Sequence, residues 1–331
     1  LSCPVMIWIR LIVLASVLIS GGCERSFDIE IIRAVSLIPT QSQYTRDFRN
    51  WINEVNVRGE GLFKIIYVGG PEAVPTFEQA DAVRTGVVHM VFGPATYYLG
   101  LLPEVEAMFA SNLPPWETRK NGGLALMDQI HRKGLGVRYL ARAAFIEFHL
   151  FTHDPPQWQS NGMPDLEHLK IRGGPVWRDF ITGLGAIFIN IAAPDVYTAL
   201  ERGMIDGIGW PMVGLADSSW DRHLGYRIDP GVFSSDAGLI FNAEKWDQLS
   251  PQVRKILENA AIEYETNSYH RFKALTQKLD QQIRKSGMQI VTLQDEDARR
   301  YQQLAADVIW QGLKKRAPEN YDALRAKFYS E

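Results

Sequence analysis

From residue 31 onward, short and almost unbroken apolar runs alternate with longer stretches in which apolar residues recur every three or four positions. The runs at 31–37, 62–68 and 87–92 have the length and composition of buried strands. Between the first two, Tyr44, Phe48, Trp51, Ile52 and Val55 share one face of a helix that follows the turn Pro39-Thr40-Gln41-Ser42. Between the second and third, Gly69-Gly70-Pro71-Glu72 leads into a helix over 75–84, and Gly93-Pro94 follows the third strand. The order β-α-β-α-β predicts an α/β unit with a mostly parallel sheet.

The same order returns, more densely, in LKIRGGPVWRDFITGLGAIFINIAAPDVYTALERGMIDGIGWP, residues 169–211. A strand over 169–172 ends in Arg172. Gly173-Gly174-Pro175 opens a helix, with proline suited to its first turn, and Gly185 stops it. A strand at 186–191 is followed by a helix from Pro194 that Gly203 ends. A strand at 204–208 then delivers Gly209-Trp210-Pro211. Ligands of sheets connected in this way sit beyond the carboxyl ends of the strands, where Arg172 and Trp210 are expected.

The remaining pattern is less regular. An irregular stretch covers 103–116, a helix 121–133 and a strand 137–140. The apolar run 144–151 is read as crossing between domains, and 154–164 as a linker rich in turn residues. A short helix is expected at 214–221 and strands at 226–230 and 237–242, the second returning to the first domain. Ser250 caps a helix that starts at Pro251 and runs to about 286. A strand at 288–292 and helices at 295–313 and 321–328 follow. The fold class is therefore α/β, with two lobes joined by more than one crossing strand in a clam shell. One lobe takes 29–150 with 243–290 and the other 151–242, while 291–331 forms C-terminal helices packed on both.

With 331 residues the chain can build two full cores. A hydrophobic fraction of 46%, a charged fraction of 22% and a net charge of -3 give no footprint for nucleic acid. Arg10, the apolar run 11–19 and the small residues Ser20-Gly21-Gly22 make 1–23 an expected export signal, the run being too short to span a bilayer. Cys23 directly after it is read as the acylated first residue of a periplasmic lipoprotein, although Ser20 stands where an aliphatic residue is usual. Cys3 and Cys23 are the only cysteines, so the mature chain has neither a disulfide nor a thiolate metal site.

The pattern LKIR-x-x-P, then G-A, then P-x-V-Y-T-A-L-E-R-G-x-x-D-G resembles the solute receptors of tripartite ATP-independent periplasmic (TRAP) transporters, of the C4-dicarboxylate-receptor (DctP) type. The resemblance covers nearly the whole mature chain and is densest over 165–211. It implies two lobes closing about a hinge on a ligand, with a long C-terminal helix bracing both, which residues 251–286 fit. It also implies a small organic acid as ligand, integral-membrane transporter subunits as partners, and no cofactor.

Arg172 is the first candidate ligand residue. Its guanidinium is a rigid fork that matches a carboxylate with two parallel hydrogen bonds, and the resemblance places the family's carboxylate-binding arginine here. The competing reading is a surface ion pair with Asp165 or Asp179. His149 falls where relatives carry a second polar contact; the competing reading is a satisfied buried histidine. Trp210 would form a flat wall with one N–H donor. Some keto-acid-binding relatives have an acidic residue before this tryptophan that helps hold a metal ion; here that position is Gly209, and no metal is expected. Asp236 offers a carboxylate from the next strand. Tyr97, after Gly93-Pro94, and Glu72, after Gly69-Gly70, lie at sheet-to-helix mouths of the first lobe, whereas Trp177 is read as packing. The aromatic residues suggest a monocarboxylate with an apolar or keto-bearing tail.

No catalytic motif competes. The chain lacks G-x-S-x-G, H-E-x-x-H, G-x-x-x-x-G-K-[ST] and G-x-G-x-x-G. His149 and His153 are four apart on an extended run and would not share a helix face. The expected function is a receptor that holds an organic acid through an arginine clamp. The alternatives are a periplasmic enzyme acting on small acids, or a receptor for an ABC importer or a sensor.

Overall fold

The computed structural model describes residues 29–330, apart from the side chains of Phe145, Ser235 and Asp236. The expected signal segment, with Cys23, lies outside the described residues. Eleven strands form among them: β1 (Glu30–Ser36), β2 (Phe63–Gly69), β3 (Met90–Gly93), β4 (Val137–Thr152), β5 (Gln157–Trp158), β6 (Pro164–Asp165), β7 (Lys170–Arg172), β8 (Ile187–Ile189), β9 (Gly207–Pro211), β10 (Tyr226–Asn242) and β11 (Gln289–Thr292).

Nine of them make one sheet, in the order β2-β1-β3-β10-β4-β9-β7-β8, with β11 added beside β10. Its two ends repeat the parallel wiring read from the sequence: β1 lies between β2 and β3, and β7 between β8 and β9. The long antiparallel strands β4 and β10 join the two halves. Their far ends pair with β3 in one half and with β9 and β11 in the other. The α/β fold with its crossing strands is thus the expected one.

Several boundaries differ from expectation. Residues 226–230 and 237–242 belong to a single strand. Between them the pairing jumps from Ile228 opposite Leu150 to Phe233 opposite Phe148, a bulge around Pro230, which has no N–H for the ladder. The strand 137–140 extends to Thr152 and absorbs the crossing run. The supposed linker holds the two-stranded sheet β5-β6. The last strand of the dense stretch begins at Gly207 rather than 204, because Met204 N–H still bonds the Ala199 carbonyl of the preceding helix (2.8 Å). Trp210 therefore lies within β9. The helix expected at 214–221 is a turn followed by a single 3-10 turn, Trp220–His223.

Helix starts follow local chemistry. Ser42 and Ser250 accept hydrogen bonds from Thr45 N–H and Val253 N–H and cap helices Gln43–Arg58 and Pro251–Ser286. The second, 36 residues long, lies along both halves of the sheet. In the first half its Ala260 carbonyl accepts from Trp51 Nε1 (3.1 Å), and in the second its Asp280 pairs with Arg227 (2.6 Å). Midway, Ser268 Oγ accepts from Ala144 N–H (2.8 Å). Ala144 is a non-glycine residue at φ 57°, a backbone that needs such a contact to hold it. No helix of the described residues is long and apolar enough to cross a membrane.

The first half-sheet also buries a titratable group. His131 is fully buried, with Nδ1 donating to the Met127 carbonyl (2.8 Å) and Nε2 accepting from the Tyr98 hydroxyl (3.1 Å). Burial pushes its pKa down from 6.5 to about 4, against the opposing pull of the Met127 carbonyl and Asp128. The unfolded chain therefore binds a proton that the native state refuses between pH 6.5 and about 4. This contribution is complete above the unfolded pKa and is lost as pH falls through the folded one, roughly 3 kcal/mol in all. Urea unfolding between pH 7 and pH 4 should show that slope, and His131→Gln should reduce it, leaving the part due to His89, whose pKa burial and Arg33 also lower to about 4.

Candidate functional site

Arg172 ends β7, held in the middle of the second half-sheet by Ile189 of β8 on one side and Ile208 of β9 on the other. It is 2% exposed. Its Nε and Nη2 donate to one acceptor, the Ile191 carbonyl, at 3.1 and 2.9 Å. The guanidinium carbon lies 5.0 Å from the centre of the Trp210 ring, within cation–π range. Neither Asp165 nor Asp179 pairs with it, and among the described residues no carboxylate does. Burial lowers its pKa, with the nearby Tyr97 hydroxyl opposing, but an arginine stays charged in a protein. The chain therefore holds a desolvated positive charge to which the described residues supply no counterion, a costly arrangement unless an anion arrives.

The guanidinium borders a cavity of about 50 Å³ between the two half-sheets. From the first half come Ile38, Tyr44, Pro94, Thr96, Tyr97 and Phe109; from β4, Ile146 and Phe148; from the second half, Gly174, Val176, Trp177, Gly209, Trp210 and Pro211. Among the described residues Arg172 is the one charged side chain of this lining. The walls are held by ring contacts: Phe109 to Phe148 at 5.0 Å, and Phe148 to Trp177 at 5.9 Å. Trp177 also packs edge-on against Phe233 at 4.9 Å, so it is both packing, as expected, and cavity wall. It explains Gly209 as well. A Cβ there would stand 2.6 Å from the Trp177 ring, so any side chain, acidic or not, would displace the indole. The helix expected after Pro175 is a 3-10 turn, Pro175–Trp177, followed by the short helix Arg178–Gly183.

The structure brings Arg172, Trp210 and Tyr97 together at this cavity. His149 is not there. It is the register partner of Trp210, but its Nδ1 lies 3.0 Å from Asp229 Oδ1, in a cluster with Arg227 and Asp280. Burial works to raise the Asp229 pKa, yet His149 and Arg227 hold it below the usual carboxylate range. The neighbouring position, Phe148, lines the cavity instead. Glu72 does not line the cavity either. Its carboxylate accepts from Thr40 Oγ1 and from Gly70 N–H (2.8 Å), closing its own turn. Slight burial opposes ionisation, but these bonds lower its pKa. The Asp236 side chain lies outside the described residues. Sequence reasoning missed Tyr44, Ile146, Phe148 and Phe109 as lining residues. Tyr44 stacks on Phe272 at 4.6 Å, and its buried hydroxyl has no hydrogen-bond partner.

Two parallel α/β half-sheets, crossed by two long strands and closed over a cavity that Arg172 borders, define a two-lobed solute-binding protein. Residues 158–315 match the family DctP, bacterial extracellular solute-binding protein, family 7. A monocarboxylate 2-oxoacid-binding periplasmic protein of Nostoc sp. is 23% identical over 292 residues, 82% of this chain and 77% of the relative. An extracytoplasmic solute receptor of Bordetella pertussis binding pyroglutamic acid superposes with a TM-score of 0.78 at 19% identity, covering 90% of this chain and 99% of its own. A TRAP periplasmic solute-binding protein of Desulfovibrio salexigens with bound orotic acid does so with a TM-score of 0.79 at 17% identity, covering 90% and 97%. At these identities the structural likeness establishes the two-lobed fold.

Proposed function

We propose that this chain is the extracytoplasmic receptor of a TRAP transporter, binding a small organic acid between its lobes and delivering it to integral-membrane subunits. The single observation that carries this reading is Arg172: buried, charged, and without a carboxylate partner among the described residues. A carboxylate entering the cavity supplies the missing counterion through charge-assisted hydrogen bonds. The cavity lies between the half-sheets, so bound ligand touches both and favours the closed arrangement by contacts that an open one lacks. The lobes take 29–150 with 243–290 and 151–242, and the C-terminal helices pack on both. Arg172, Trp210 and Tyr97 are the ligand-contacting side chains. Export to the periplasm follows from the 1–23 segment, with lipid attachment at Cys23. The family's members are receptors, and no catalytic role is assigned here.

The test compares acids with their amides. In a thermal-shift screen of mono-, di- and keto-acids, at least one acid should raise the melting temperature while its carboxamide, equal in shape but uncharged, should not. Equal shifts from acid and amide would remove the charge pairing from the mechanism.

A further inference from the structure

Two buried polar groups of the cavity lining make no hydrogen bond: Trp210 Nε1, beside the clamp, and the Tyr44 hydroxyl. Tyr44 sits in the first turn of helix Gln43–Arg58, beyond the carboxyl end of β1, on the wall opposite Arg172. It is 4% exposed, and its hydroxyl makes no hydrogen bond. A buried hydroxyl without a partner is uncommon, because it has given up water and received nothing. Packing alone would be served better by phenylalanine. The face stacking on Phe272 fixes the ring and leaves nothing for the oxygen to do. Tyr44 and Arg172 come from opposite half-sheets, so a ligand touching both spans the cleft.

We propose that the Tyr44 hydroxyl donates to an uncharged oxygen of the ligand whose carboxylate Arg172 holds, and that it selects acids bearing such an oxygen over their unsubstituted counterparts. The inference rests on the clamp reading of Arg172. With Arg172 as cation, the unpaired Tyr44 hydroxyl and Trp210 Nε1 as neutral donors, and Thr96 and Tyr97 beside them, the complementary ligand carries a carboxylate and an oxo, hydroxyl or amide oxygen. A second carboxylate would be buried near Tyr44 with no cation among the described lining residues to meet it.

The experiment is calorimetry on the full protein with paired C3 to C6 monocarboxylates, each with and without a 2-oxo or 2-hydroxy group. Wild type, Tyr44→Phe and Arg172→Ala are compared. Wild type should favour the oxygenated member of at least one pair by about tenfold. Tyr44→Phe should bring that ratio to within about threefold, with the plain acid bound as before. The unliganded Tyr44→Phe protein should melt no lower than wild type, since it loses only an unpaired group; this readout separates a ligand donor from a structural tyrosine. An unchanged ratio, an equal loss for both members together with a lower melting temperature, or no binding of any pair by wild type would overturn the inference. Equal binding by Arg172→Ala would instead remove the clamp, while the Tyr44 ratio still reads on its own.

Discussion

Replacing Arg172 by alanine is expected to cost about 2–5 kcal/mol of binding, the usual loss when one partner of a buried hydrogen-bonded charge pair is removed. Isothermal calorimetry with any acid that stabilises the wild type should show the affinity falling by at least a factor of about thirty. Folding should survive. The unliganded protein gains from losing an uncompensated buried charge and loses the two bonds to the Ile191 carbonyl, effects of opposite sign. Arg172→Met, which keeps most of the volume and the contact with Trp210, is the cleaner version. Its unliganded melting temperature should be no lower than that of wild type, and its ligand response should vanish. Arg172→Lys keeps the charge but not the fork, so it should fall between. Undiminished affinity in Arg172→Met would place the acid elsewhere in the molecule.

The parts of this site that were legible in sequence are those fixed by local chemistry. Gly173-Gly174-Pro175 marks a strand end, and the residue before it is a cation; no long-range information is needed to place Arg172 beside a cleft. Ser42 and Ser250 announce their helices in the same way. His149 shows the limit. On an extended strand one position decides which face a side chain takes, and the alternation over 144–151 is masked because nearly every residue there is apolar. The joining of 226–230 and 237–242 into β10 is likewise a pairing decision. It is set by β4, a strand some 90 residues earlier, opposite which β10 bulges at Pro230. Tyr44 was read as one more residue of an apolar helix face, which it also is. The rule that located Arg172, to look just past the carboxyl end of a parallel strand, points equally to the first turn after β1.

The largest effect on folding is expected at Glu265, in the middle of the long helix Pro251–Ser286. It is 1% exposed. Its carboxylate accepts from Arg119 Nε and Nη2, both at 2.9 Å, and from the buried Arg142 N–H of β4 at 3.0 Å. Alanine here would leave a partly buried guanidinium without its carboxylate and a strand N–H without an acceptor, at a cost of about 3 kcal/mol. Because the Arg119 side chain is 29% exposed, water relieves part of the ion-pair loss, and the figure belongs at the low end of the range for buried pairs. Glu265→Gln retains an acceptor for the strand but not the charge, and should cost about half as much. Urea unfolding followed by circular dichroism would read both as lower midpoints at unchanged slope. The binding cavity is lined further along β4, by Ile146 and Phe148, and Glu265 does not touch it. Ligand affinity should therefore stay within about threefold of wild type, and saturating acid should restore stability by mass action. A midpoint equal to that of wild type would show that the helix holds β4 by apolar packing alone. A collapse of affinity at intact stability would instead show that the Glu265 contact sets the position of β4 at the ligand, and that the brace and the site are one device.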